Sequence, residues 1–212
     1  MSLFFRLAES GGIGYIETEL ATNPGREKGE GMTKAAQRRI EEMVKSHGLK
    51  DFEWIQPKSI ITGQWVRMKC TYGCPSYGQK GCCPPEVPSV TECERFFKEY
   101  QKGLLFHLAQ KFKKPEMRFR WYSKQNQRML DLEREVFLSG YYKAFVFPQA
   151  PCRLCDPCKA SKQGCRHPYL ARPTLEAFGV DVYATARKMG YPIQVLKGYE
   201  EEMNRFGLLL IE

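Results

Sequence analysis

The first clear hydrophobic pattern in the chain is a helical one, and it covers residues 33–47. Its apolar positions recur three or four residues apart, the spacing of one helix face: Ala36, Ile40, Met43 and Val44. Thr33 is a suitable N-cap residue, and Gly48 is a typical residue to follow a helix end. The pattern therefore predicts an α-helix between these two residues.

Later segments predict further helices through the residues at their ends. Ser89 and Glu92 have the spacing of a capping box. Ser123 is a suitable cap for another helix, and Gly140 and Gly190 are suitable ends. These signals predict helices over about residues 90–102, 123–139 and 174–189.

Extended segments alternate with these helices. Runs rich in apolar, β-branched and aromatic residues predict strands, and they cover residues 52–55, 60–69, 104–109, 144–147, 193–196 and 206–211. Alternating helices and strands are typical of layered α/β folds. We therefore expect an α/β domain in layers, with two cysteine-rich segments on loops after strands.

The first 31 residues differ in composition from the rest of the chain. Residues 22–31 combine glycine, proline and charged residues as a linker does, and no strong period precedes them. The sequence therefore predicts a weakly structured extension over residues 1–31 and a single domain over residues 32–212.

The composition narrows the class of protein. No run approaches the roughly 18–20 apolar residues of a membrane span, and the N-terminus lacks the pattern of a signal peptide, so we expect a cytoplasmic protein. Nine cysteines are an odd number, and clustered thiols in a reducing compartment hold metal more often than they form disulfides. The net charge of +9 suits anionic clusters at these thiols, a solvated basic face or nucleic acid.

The second cysteine group has the more specific spacing, Cys152-x2-Cys155-x2-Cys158-x6-Cys165. Thiols at every third residue are typical of [4Fe–4S] ferredoxins, because such a loop wraps a compact cube. In ferredoxins the fourth cysteine follows after three residues, so the role of Cys165 stays open. Zinc is the alternative metal, and His167 completes a Cys3His set for it.

The first cysteine group is Cys70, Cys74, Cys82, Cys83 and Cys93. Cys82 and Cys83 are neighbours whose side chains diverge in extended backbone. We favour Cys83, whose backbone the next two prolines restrict, and keep Cys82 as the alternative ligand. Cys93 lies near the start of a predicted helix, where the dipole favours a negative cluster; the other interpretation is a small buried core residue.

Both groups resemble one prokaryotic family, frequent in anaerobes and known as predicted metal-binding proteins of unknown function. The resemblance lies in Lys69-Cys70-x3-Cys74-Pro75-x-Tyr77-Gly78-x-Lys80-x2-Cys83-Pro84-Pro85 and in Cys152-x2-Cys155-x2-Cys158-x6-Cys165-Arg166-x-Pro168. It continues through Arg172-Pro173-Thr174-Leu175-Glu176-Ala177-x-Gly179-Val180-Asp181-Val182 and extends over most of residues 32–212. It implies metal or iron–sulfur binding and no particular reaction.

Two other features bear on function. Arg172 and Glu176 follow the second cysteine group and either line a pocket beside it or pair with each other. The basic and aromatic stretch over residues 111–128 suits an acidic protein partner or plain solvation better than single-stranded nucleic acid.

The sequence as a whole predicts a protein with two [4Fe–4S] clusters that transfers single electrons to a redox protein partner or a small-molecule substrate. The predicted ligands are Cys70, Cys74, Cys83 and Cys93 for one cluster and Cys152, Cys155, Cys158 and Cys165 for the other. The alternatives are a zinc-stabilised binding module and a redox enzyme with an open cluster corner. The electron donor, the acceptor and the oligomeric state stay open.

Overall fold

The computed structural model describes residues 32–198 and 200–212. Its helices are α1 (Lys34–Ser46), α2 (Gln64–Gly73), α3 (Val90–Lys98), α4 (Met117–Leu138) and α5 (Val182–Lys188). Its strands are β1 (Phe52–Ile55), β2 (Gly103–Gln110), β3 (Phe145–Phe147) and β4 (Met203–Leu210). Two 3-10 turns, Pro57–Ser59 and Glu176–Phe178, complete the regular structure of these residues.

The four strands form one antiparallel sheet in the order β1-β2-β4-β3. The central pair, β2 and β4, is joined over eight residues from Gly103 opposite Leu210 to Gln110 opposite Met203. The sequence prediction of an α/β domain is confirmed. The first cysteine segment follows β1 in the chain, and the second lies between β3 and β4.

Both faces of the sheet are buried, which explains the continuous apolar runs in β2 and β4. Successive strand residues point to opposite faces, so Leu104 and Leu105 enter different clusters. One face packs against α1 and α4 through Ile40, Val44, Met129, Leu132 and Val136. The other packs against α3, the second 3-10 turn and α5 through Phe97, Phe178 and Ala186. The sheet is therefore the middle layer of three.

The end signals of two predicted helices are confirmed. The Thr33 side chain accepts from the backbone N–H of Ala36 at the start of α1. At α3 the Ser89 hydroxyl accepts from the N–H of Glu92, and the Glu92 carboxylate accepts from the N–H of Ser89. This capping box fixes the start of the helix that directly follows the first cysteine segment.

Two predicted strands and the predicted start of one helix were wrong. Residues 64–73 form α2 rather than a strand: Val66 and Cys70, one helical turn apart, lie on its more buried side, while the exposed side carries Trp65, Met68 and Tyr72. Helix α4 begins at Met117, ahead of the predicted cap at Ser123. Residues 193–196 have no regular structure, because only Ile193 of the four is buried.

Because residues 64–73 are helical, the surroundings of the first cysteine group differ from those predicted. Cys70 lies in the last turn of α2, Cys74 is its C-cap residue, and Cys93 lies in α3, so only Cys82 and Cys83 are on the connecting loop. The predicted loop after a strand is therefore wrong for this group. The second group lies outside helices and strands, after β3.

Two further points concern the limits of the domain. The predicted extension over residues 1–31 lies outside the described residues. Within the part of the chain that the structure describes, no helix has both the length and the apolar character needed to cross a bilayer.

Replacing Ser89 by alanine removes one half of the capping box, and we expect it to lower the free energy of unfolding by about 1 kcal/mol. Ser46→Ala is the matched control, because the Ser46 hydroxyl donates only to the carbonyl of Met43 at the exposed end of α1. Urea unfolding followed by circular dichroism measures both variants. Equal midpoints for the two would contradict a stabilising role for the cap.

Candidate metal centre

The first cysteine group is assembled at the end of α2. Cys70 lies in the last turn of α2, and Cys74 follows four residues later as its C-cap residue with extended backbone. Burial raises the pKa of Cys70, and the nearby Cys74 and Glu176 raise it further. The structure therefore places these two thiols and the Glu176 carboxylate within electrostatic reach of one another.

Cys83 joins this pair from the following loop. A hydrogen bond with Cys82 lowers the pKa of Cys83, against the effects of burial and of the nearby Cys70 and Cys74. The Lys80 ammonium also lowers this pKa. Cys83 is thus near enough to Cys70, Cys74 and Lys80 for their charges to affect its pKa.

Cys93 has different surroundings. It is fully buried in α3, in the apolar cluster that contains Phe97, and its thiol donates to the carbonyl of Pro88 at 3.7 Å. Burial raises the pKa of Cys93 to about 11, although the Arg67 guanidinium opposes this. These contacts are those of a small core residue, the second of the two interpretations of its sequence position.

The second cysteine group lies on the irregular segment between β3 and the second 3-10 turn. Its four cysteines are all partly exposed. Burial raises the pKa of Cys158, but hydrogen bonds from the backbone of Gly81 and Ala160 and from the Cys155 side chain outweigh burial and lower that pKa. Cys155 and Cys158 are therefore close neighbours.

Cys82 connects the two groups. Its thiol hydrogen-bonds with Cys152, which lowers the pKa of Cys82, but Cys83 and burial outweigh this and raise that pKa to about 12. The same hydrogen bond, followed by burial, raises the pKa of Cys152. The residue that the sequence ranked as the alternative ligand of the first group thus contacts the second.

The backbones of the two loops also pack closely. A Cβ atom on Gly81 would lie 2.7 Å from the carbonyl oxygen of Ser161, which shows that the loops meet at van der Waals distance there. The N–H of Lys162 donates to the Glu86 carboxylate at 3.0 Å. The two cysteine segments, far apart in sequence, therefore lie side by side in the fold.

Cys165 and His167 lie at the far end of the second loop. The N–H of Cys165 donates to the carbonyl of Lys162 in a turn, and the Arg166 guanidinium donates to the carbonyl of Pro157. No hydrogen bond or ion pair of the described residues involves the Cys165 thiol. Its predicted part as a fourth ligand stays a prediction, as does that of His167 in a zinc site.

Arg172 and Glu176 do not pair with each other. The Nε of Arg172 donates to Glu133 at 2.9 Å, and both side chains are largely buried. Burial raises the pKa of Glu133, and Arg172 opposes the rise. Arg172 therefore lies beside the second cysteine loop, whereas Glu176 lies near Cys70 in the first group.

Arg67 holds the first group against the body of the domain. Its Nη2 donates to the carbonyls of Pro88 and Ala177 at 2.9 and 3.0 Å. Its Nε is buried without a hydrogen-bond partner in the described part of the chain. A buried cationic N–H without an acceptor is rare in folded proteins, and an anionic group at the neighbouring thiols would suit it.

The donor chemistry of this site suits a soft metal or an iron–sulfur cluster, since thiolates are the ligands that zinc and iron–sulfur clusters prefer. Among residues 32–198 and 200–212, however, no three Cys, His, Asp or Glu side chains converge closely enough to hold a metal ion. The thiols are close in pairs and must turn toward a common centre to bind one.

Two features of the site were missed in the sequence. One is the partnership of Cys82 with Cys152, and the other is the buried Arg67 beside the first group. Gly81 gave a usable signal, because a glycine next to a cysteine permits another backbone to approach closely. The sequence contains no comparable signal for Arg67, because its burial depends on α2 being helical.

The comparisons with known proteins agree with the cysteine motifs. No curated protein and no solved structure matches the chain. A family model does match, over residues 53–211, and its description is "Predicted metal-binding protein (DUF2284)". The resemblance to this family is thereby confirmed, and the chain belongs to this family of predicted metal-binding proteins, whose function is unknown.

Proposed function

We propose that the joined cysteine loops hold two [4Fe–4S] clusters and that the protein transfers single electrons in the cytoplasm. The observation that carries this proposal is the packing of the two loops, in which Gly81 lies against Ser161 and Cys82 contacts Cys152. Clusters held at adjoining loops lie close enough to exchange electrons with each other. Such clusters supply one-electron redox chemistry when bound.

The proposed ligands follow from which thiols lie near one another. Cys70, Cys74 and Cys83 serve the first cluster, and Cys152, Cys155 and Cys158 serve the second. Cys82 is favoured over Cys165 as the fourth ligand of the second cluster, because its thiol contacts Cys152. Lys80, which lowers the pKa of both Cys83 and Cys158, is a cation shared by the two groups and offsets the negative charge of thiolate-bound clusters.

The burial of Cys93 favours a second candidate function. A first cluster with only three thiolate ligands has an iron corner free for a substrate, which suits a redox enzyme better than a simple electron carrier. Glu176, near Cys70, is the charged side chain best placed to face such a substrate. A zinc-stabilised binding module is the remaining alternative.

The exposed side of α2 supports a protein partner for electron transfer. Trp65, Met68 and Tyr72 follow a helical spacing on α2 and are all exposed, Tyr72 by 84% and Trp65 by 50%, and Ile61 just before the helix is exposed as well. The Lys69 ammonium lies 5.5 Å from the Trp65 ring, and α2 contains no acidic residue. An apolar and basic face on the helix that carries Cys70 suits an acidic redox protein.

The metal content of protein purified without oxygen tests the cofactor. We expect about eight irons and eight sulfides per chain for two such clusters, with a brown colour that bleaches under a strong reductant. About four irons per chain would support one cluster and contradict the second. A colourless protein with stoichiometric zinc would overturn the proposal and support the structural module.

Replacing Gly81 by alanine tests whether the loops must pack together to hold metal. The new Cβ meets the backbone of Ser161 at 2.7 Å, so we expect the loops to separate and the metal content to fall several-fold. Gly73→Ala is the matched control, because a Cβ there meets nothing within 4 Å. Both variants keep the sheet core, and far-ultraviolet circular dichroism checks this; equal metal content in both would count against the shared site.

Replacing Lys69 by glutamate tests the α2 face. With a reduced acidic ferredoxin as the electron donor, we expect the second-order rate of electron transfer to fall by about three- to tenfold at low salt, because rim charges mainly change association rates. Lys34→Glu, on α1, makes the same charge change elsewhere. Metal content is measured in both variants to check that each still binds its metal. An equal loss of electron-transfer rate in the two variants would contradict docking on α2.

A further inference from the structure

A cavity of about 280 Å³ lies between α4 and the second cysteine loop. One wall is a single stripe of α4, formed by Ser123, Asn126, Gln127 and Leu130 at helical spacing. The opposite wall comes from the cysteine loop and the segment that follows it. We propose that this cavity binds a small carboxylic acid with an apolar body, such as a single-ring or short-chain carboxylate.

The apolar part of the cavity suits the body of such a ligand. Leu130 from α4 faces Leu154 and Leu170 from the loop side. Leu130 is buried and Leu154 partly buried, whereas Leu170 is 40% exposed at the open side. Ligand sites are usually concave and mostly apolar with a few placed polar groups, and about 300 Å³ is the lower end of their size range. A cavity of this size therefore suits a small molecule.

The charge of the lining selects an anion. It contains two arginines, Arg153 and Arg172, and no aspartate or glutamate. Arg172 is already paired with Glu133. The Arg153 guanidinium stacks on the Phe119 ring at 4.1 Å from its centroid, and it makes no hydrogen bond or ion pair with the described residues. The Arg153 guanidinium can therefore donate two hydrogen bonds to one carboxylate in a bidentate pair.

The polar groups of the α4 wall are already held in place. The Asn126 amide donates to the carbonyl of Ala150 at 2.8 Å and accepts from Gln149. The Gln127 amide donates to Asp131. These contacts fix the orientation of the two amide side chains on the α4 wall. The inference goes beyond the proposed clusters and does not depend on them, although Cys152 also lines the cavity.

Titration calorimetry on the full chain purified without oxygen tests the inference, with benzoate and hexanoate as probes. We expect both to bind, and benzamide and hexanamide, which lack the charge, to bind at least tenfold more weakly. Arg153→Gln should weaken carboxylate binding by about tenfold or more, because hydrogen bonds to charged groups are the stronger ones. Arg120→Gln is the matched control, since Arg120 is an exposed arginine of α4 that does not line the cavity.

Several outcomes would overturn this inference. If the acids and their amides bind equally, the ligand's charge does not contribute to binding. If Arg153→Gln leaves the affinity unchanged, Arg153 does not contact the carboxylate. If inorganic phosphate binds as tightly as the carboxylates, the cavity is not selective for a carboxylate with an apolar body. Leu170→Ser, at a partly exposed position, should weaken both acids several-fold if the apolar wall contributes. Metal content is measured in parallel: carboxylate binding without iron would reject only the clusters, and full iron without carboxylate binding would reject only this site.

Discussion

The contact between the two cysteine loops is the constraint on which the candidate site depends. The loops meet where the backbone of Gly81 lies against Ser161 and where Lys162 donates to Glu86. Closing such a long intervening segment costs conformational entropy, and a few loop contacts cannot offset that cost alone. The loops stay together because each is anchored separately to the folded core.

Two arginines provide much of this anchoring. Arg67 ties α2 to the carbonyls of Pro88 and Ala177, and so holds the first loop at both of its ends. Arg172 ties the exit of the second loop to Glu133, which also accepts from the N–H of Val146 in β3. Removing one partner of a buried ion pair costs about 3–5 kcal/mol, so this link resists separation of the loop from the sheet.

Local signals predicted much of the fold and little of the site. The caps of α1 and α3 and the apolar runs of β2 and β4 lie within short stretches of sequence, so they could be read directly. Helix α2 was misread because three of its apolar side chains, Trp65, Met68 and Tyr72, lie on the exposed side and only Val66 is buried. The contact of Cys82 with Cys152 joins residues far apart in sequence, and no local pattern encodes it.

The position of Cys93 gives the two cysteine groups different characters. Cys93 is fully buried in the cluster that holds Phe97, and a ligand role that drew its thiol out of this cluster would lose that burial. Cys82, by contrast, already contacts Cys152. On the proposed assignment the second cluster is therefore fully bound by thiolates, whereas the first keeps an open corner near Glu176. Electron transfer at one cluster and substrate chemistry at the other are then complementary parts of one function, because a closed cluster beside an open one can supply it with electrons.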